Sequence, residues 1–95
     1  MRADSGPIRI LTVDDHALLR QGIAALVNGQ SDMKLVAEAS DGHEGIQQFR
    51  LHRPDVTLMD LQMPVLNGIE AVIGIRSEFA NASIFGSARA LGVLR

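Results

Sequence analysis

The chain has 95 residues, nine basic and eleven acidic side chains for a formal net charge of −2, and no cysteine. That length holds one small domain; the balanced charge, without aromatic and basic residues interleaved, excludes the electrostatic footprint of a nucleic-acid binder, and the missing thiols exclude disulfides and thiolate metal sites. No apolar run reaches membrane-spanning length and the polar start Met1–Pro7 lacks the apolar stretch of a signal peptide, so the chain reads as a soluble, cytoplasmic protein.

Ile8-Arg9-Ile10-Leu11-Thr12-Val13 is a mostly apolar, β-branched run that stops at Asp14-Asp15, the pattern of a buried strand. From Ala17 the positions Leu18, Leu19, Ile23, Leu26 and Val27 follow helical spacing, and Asn28-Gly29 closes them. Asp14 or Asp15 stands where this helix wants an N-cap. Lys34–Ala39 reads as a second strand and Ser40-Asp41-Gly42 as a loop with capping chemistry. A helix from about His43 to Leu51 follows, ended by Pro54. Asp55–Met59 is a third strand that ends at Asp60, and the turn formers of Leu61–Gly68 lead into a helix carrying Ile69, Val72, Ile75 and Phe79. Three βα units in succession predict right-handed crossovers and a parallel sheet, an α/β fold of the doubly wound kind.

In such sheets ligands bind beyond the carboxyl ends of the strands, where the strand order reverses. Asp14, Asp15 and Asp60 each follow a strand end and converge there if the first and third strands flank the switch. Clustered carboxylates repel one another, and a hard divalent cation with oxygen ligands relieves the repulsion. Mg²⁺ suits such a site, leaving one carboxylate to act as a nucleophile toward a phosphoryl group. Taken singly, each Asp is equally well a helix cap or a turn residue; the signal is in the set. His16 reads as a partly exposed residue at a helix start, His43 and His52 as solvated helix residues, and Met59 and Met63 as packing residues.

Ile10–His16 and Met59–Gly68 resemble the two acidic signatures of response-regulator receiver domains, and Asp14-Asp15-His16 with Ala37–Gly42 is most similar to the NarL/FixJ-like subfamily. The resemblance implies a flavodoxin-like doubly wound sheet. It implies that Asp60 is the phosphoacceptor, that Asp15 contacts Mg²⁺ directly and Asp14 largely through water, and that the Gln62 backbone carbonyl is a further ligand. Met63-Pro64 and Gly68 then shape the loop that turns that carbonyl inward. A sensor histidine kinase is the implied partner, with self-phosphorylation and dephosphorylation the only chemistry.

The resemblance runs from Ile8 to about Ala82, which divides the chain into a tail over 1–7, a receiver domain over 8–82 and a divergent segment over 83–95. The Thr or Ser that the family places after its fourth strand falls on Ala88, and the only lysine, Lys34, lies far upstream of the family's conserved one. Ser83–Arg95 holds two glycines and no sustained β-branched run, while Ala88, Leu91 and Leu94 suit a short helical stripe. These features predict an incomplete sheet, truncated after the third βα unit, without regular fourth and fifth βα units. Its third strand becomes an exposed edge, which predicts a homodimer or higher oligomer, with domain swapping one route to it. Two functions follow: a receiver impaired in phosphotransfer, or a dimerising interaction module that no longer needs it. Neither includes direct nucleic-acid binding. A haloacid-dehalogenase-like phosphohydrolase wants Asp-x-Asp after the first strand, which Asp14-Asp15-His16 does not supply.

Overall fold

The computed structural model describes residues 6–61, 63 and 67–86. Their elements run in the order β1 (Ile8–Val13), α1 (Ala17–Asn28), β2 (Met33–Ala39), α2 (Gly42–His52), β3 (Val56–Met59), α3 (Gly68–Glu78) and β4 (Ile84–Gly86). All strand pairs are parallel, and the order across the sheet is β2-β1-β3-β4. This is the doubly wound sheet the sequence predicts. The segment from Ser83 on, read as lacking a regular strand, nevertheless places Ile84–Gly86 beside Thr57–Met59, while Ala88, Leu91 and Leu94 of the expected helical stripe lie outside the described residues. The edge of β3 is therefore covered, and β4 becomes the outer strand. Ile84 is also packed against the core, which anchors this short strand.

Strand order fixes where the helices go. The chain steps from β1 to β2 in one direction, then from β2 across β1 to β3 in the other. With right-handed crossovers, that reversal places α1 on one face and α2 on the opposite one, and α3 continues on the face of α2. The buried cluster follows from this arrangement. Leu11, Val13 and Met59, which share a sheet face by register, pack with Phe49 of α2 and with Ala71 and Ile75 of α3. Gly45 lets α2 approach the sheet closely, since a Cβ there would lie 3.0 Å from Val13 Cγ1.

The helix ends are set by local chemistry. Asp41 caps α2 by accepting from the Glu44 backbone N–H at 2.8 Å, and the Glu44 carboxylate accepts from the Ser40 N–H at 2.6 Å. At its other end Arg53 stands in the left-handed region at φ 45°, ahead of Pro54, which disfavours continuing the helix. The Arg53 guanidinium lies 4.0 Å over the Phe79 ring, which in turn meets Phe49 at 5.1 Å. Asp55 then clasps β1: its carboxylate accepts from the Arg9 N–H and its own N–H donates to the Arg9 carbonyl, both at 2.8 Å. That reciprocal pair sets the register in which β3 starts.

Arg50 of α2 binds Glu78 of α3 in a two-pronged ion pair, Nε to Oε1 at 3.0 Å and Nη2 to Oε2 at 2.5 Å. The hydrogen bonds from Arg50, joined by its charge, hold the Glu78 carboxyl below its ordinary pKa. A lowered folded value means the stabilisation is complete above the free-glutamate pKa and is lost as pH falls through the folded one. We expect Glu78→Gln to be less stable than the parent by a constant small margin at neutral pH, with the margin closing below roughly pH 4. Urea unfolding of both proteins across that range checks this.

Candidate functional site

The site grows out of two strand ends. Val13 and Met59 are register partners, so the residues that follow them emerge side by side. The ladder continues one step beyond each strand: the Asp14 N–H donates to the Ala39 carbonyl at 3.0 Å and the Asp60 N–H to the Val13 carbonyl at 2.9 Å. Both carboxylates are fully buried. Asp15, next along the turn, keeps 27% of its side chain exposed. Atoms of Asp14, Asp15, His16 and Asp60 that can serve as ligands all lie within 4.8 Å of one another.

The turn into α1 differs from the sequence reading in one respect. The N-cap is His16, whose side chain makes no capping bond, and neither aspartate caps the helix. Instead the Asp14 carboxylate accepts from the His16 N–H at 2.8 Å, which turns Asp14 inward toward Asp60. The His16 ring is half exposed at the helix start, with Nδ1 2.9 Å from Asp15 Oδ1 and 3.3 Å from Asp14 Oδ1. Met59 and Met63 pack in the core, as their residue type predicts. Gln62, Ser87 and Ala88 lie outside the described residues.

The loop after Asp60 is closed by the start of α3. Asn67 caps that helix by accepting from the Glu70 N–H at 2.9 Å, and the Glu70 carboxylate accepts back from the Asn67 N–H at 3.3 Å. This capping box delivers Gly68 against the backbone of the acidic residue. A Cβ on Gly68 would fall 2.0 Å from the Asp60 carbonyl oxygen and 2.5 Å from Leu61 Cα. The Asn67-Gly68 pair is thus more than a turn signal: glycine is the only residue that leaves room for the Asp60–Leu61 peptide.

Arg20 and Glu38 also reach the site, although no motif singles them out. Arg20 extends back from the first turns of α1, and its Nη1 donates to the Asp14 carbonyl at 2.5 Å. Its Nε stands 3.5 Å from Glu38 Oε1 on β2. The available signal is a basic residue placed one and a half helical turns after an acidic doublet, in a stretch of α1 that is otherwise apolar or neutral.

The donor set fits a hard divalent cation. Three carboxylates converge, two of them buried, and oxygen ligands at such spacing suit Mg²⁺ better than a soft metal. A buried carboxylate beside that position is also a candidate nucleophile.

Residues 10–89 match the family model of the response regulator receiver domain. The chain belongs to this family. It is 44% identical over 77 residues to the transcriptional regulatory protein LiaR of Bacillus subtilis, covering 81% of this chain and 36% of that protein. It is 38% identical over 78 residues to the nitrate/nitrite response regulator protein NarL of Escherichia coli, covering 82% of this chain and 36% of that one. A LuxR-family two-component response regulator from Aurantimonas superposes with a TM-score of 0.81 at 37% identity, over 85% of this chain and 58% of the other. These relatives place the receiver domain among the NarL- and LuxR-type regulators, with the flavodoxin-like fold. The chain spans little more than a third of the curated regulators it matches. The receiver domain is a signalling domain of two-component systems, and no described helix is long and apolar enough to cross a membrane.

Gly68 provides a direct check on how the site is held. Gly68→Ala should cost about 1–3 kcal/mol by overpacking, and Gly74→Ala, whose Cβ would meet only the flexible Cδ1 of Ile46, should cost less. Urea unfolding measures both. In heteronuclear spectra the Gly68→Ala shifts should concentrate at Asp60 and Leu61.

Proposed function

We propose that this receiver domain accepts a phosphoryl group on Asp60 from a sensor histidine kinase, in a reaction that requires Mg²⁺. The observation that carries the reading is the convergence of Asp14, Asp15 and Asp60 from two different strand ends, with Asp14 and Asp60 fully buried. Asp14, Asp15, Asp60 and the Gln62 backbone carbonyl would hold the metal. The bound cation supplies charge neutralisation for the incoming phosphoryl oxygens. A carboxylate oxygen of Asp60 then attacks phosphorus, an acyl phosphate forms, and the bond to the donor's nitrogen or oxygen breaks with its electrons leaving on the donor.

The chain's own backbone prepares this step. The Asp60 N–H is tied to Val13 and its carbonyl is backed by Gly68, so the backbone from which the carboxylate projects is fixed. Ala88 stands where the family supplies a hydroxyl for a phosphoryl oxygen. The acyl phosphate therefore forms slowly here, and its presence couples weakly to the rest of the surface. Direct nucleic-acid binding forms no part of this function.

A second reading is a phosphorylation-independent module that pairs with another copy of the chain. It is favoured by an apolar side chain left in solvent at one outer strand of the sheet: Phe85 of β4 is 58% exposed. Cytoplasmic localisation suits both readings.

Incubation with Mg²⁺ and acetyl phosphate, followed by intact-mass measurement, tests the first reading. A phosphate-sized gain is expected in the parent and none in Asp60→Asn; folded parent that gains nothing refutes it. Light scattering at tens of micromolar tests the second, with a dimeric mass expected that Asp60→Asn leaves unchanged.

A further inference from the structure

We infer that Arg20 is a positioning residue for the acidic site, fixing the peptide that joins Asp14 to Asp15; this rests on the proposal that the site binds a divalent cation. The carbonyl that Arg20 grips belongs to that peptide bond. Its orientation sets the direction in which the Asp15 side chain leaves the backbone relative to Asp14. The other polar groups of Asp14 are held from elsewhere, the N–H by the Ala39 carbonyl and the carboxylate by the His16 N–H. The N-cap, His16, makes no side-chain capping bond, so α1 starts without that local restraint. Arg20 adds a restraint on the turn from within the helix itself.

The guanidinium is well prepared for this task. Only 19% of the Arg20 side chain is exposed, and Glu38 on β2 faces its Nε at 3.5 Å, so the planar fork is held on two edges. Glu38 is the register partner of Thr12, two residues before Asp14 on the neighbouring strand. The chain α1–Arg20–Glu38–β2 thus ties the acidic turn to the sheet independently of β3. A fixed outer group of this kind orients the groups that ligate a metal.

Positioning and charge have opposite signs here, which makes the inference testable. A cation near the site repels Mg²⁺, so if charge were the main effect of Arg20, its removal would tighten metal binding. If positioning dominates, removal weakens it. Mn²⁺ binding to the whole chain, followed by electron paramagnetic resonance, is the readout, with urea unfolding of the metal-free protein alongside. Arg20→Met should weaken Mn²⁺ binding roughly tenfold, at little cost in unfolding midpoint, and Arg20→Lys should recover part of the loss. Unchanged or tighter binding in Arg20→Met overturns the inference while leaving the metal reading intact. A parent that binds no Mn²⁺ overturns the metal reading and the role of Arg20 with it. Should Arg20→Met lose stability as well as metal, Glu38→Gln decides: it keeps the arginine but slackens its anchor at a half-exposed position. Weaker binding at parental stability in that variant supports positioning, and parental binding overturns it.

Discussion

The site depends above all on the parallel alignment of β1 with β3. Val13 opposite Met59 makes the next residue on each strand an aspartate, and the hydrogen bond from the Asp60 N–H to the Val13 carbonyl carries that alignment one step past the strands. A slip of one residue would turn every β3 side chain to the other face, expelling Thr57 and Met59 from the core and Asp60 from its neighbours. The register is held at both ends. At the start of β3, the reciprocal bonds between Asp55 and Arg9 leave the strand one way to begin. Along it, Met59 fills the space between Leu11, Val13 and α3.

Placing two carboxylates in a fully buried position costs desolvation and mutual repulsion, and a backbone that cannot yield keeps them there against that cost. Close backbone approach supplies that rigidity. Gly68 presses on the peptide after Asp60, and the capping box of Asn67 and Glu70 holds Gly68 where it is. On the opposite side of the site, Arg20 and the His16 N–H grip the turn after β1. The acidic centre is thus clamped by two helix starts, that of α1 on one sheet face and that of α3 on the other. The doubly wound topology provides this arrangement wherever the strand order reverses.

Kinship with NarL- and LuxR-type receivers accounts for the fold of the sheet, nearly all of which falls within the matched residues. The short β4 shows how little sequence a parallel edge strand needs. Three residues take their place because Ile84 finds the core and β3 offers an unpaired row of donors and acceptors.

The elements and the candidate acidic residues were legible in the sequence. The β-branched run ending at Asp14 and the helical spacing from Ala17 to Asn28 locate β1 and α1 to the residue, because hydrophobic period and turn formers act over a few neighbouring positions. The clustering of Asp14, Asp15 and Asp60 was legible too, because βα order dictates which strand ends meet. Only the tertiary structure decided the rest. Ile84–Gly86, three residues before a stretch without a β-branched run, becomes a strand through pairing with β3, a partner far away in the chain. His16 rather than an aspartate begins α1, because the Asp14 carboxylate is drawn inward instead of onto the helix. The need for glycine at 68, and the reach of Arg20 to the Asp14 carbonyl, arise from distances between segments that no local pattern encodes.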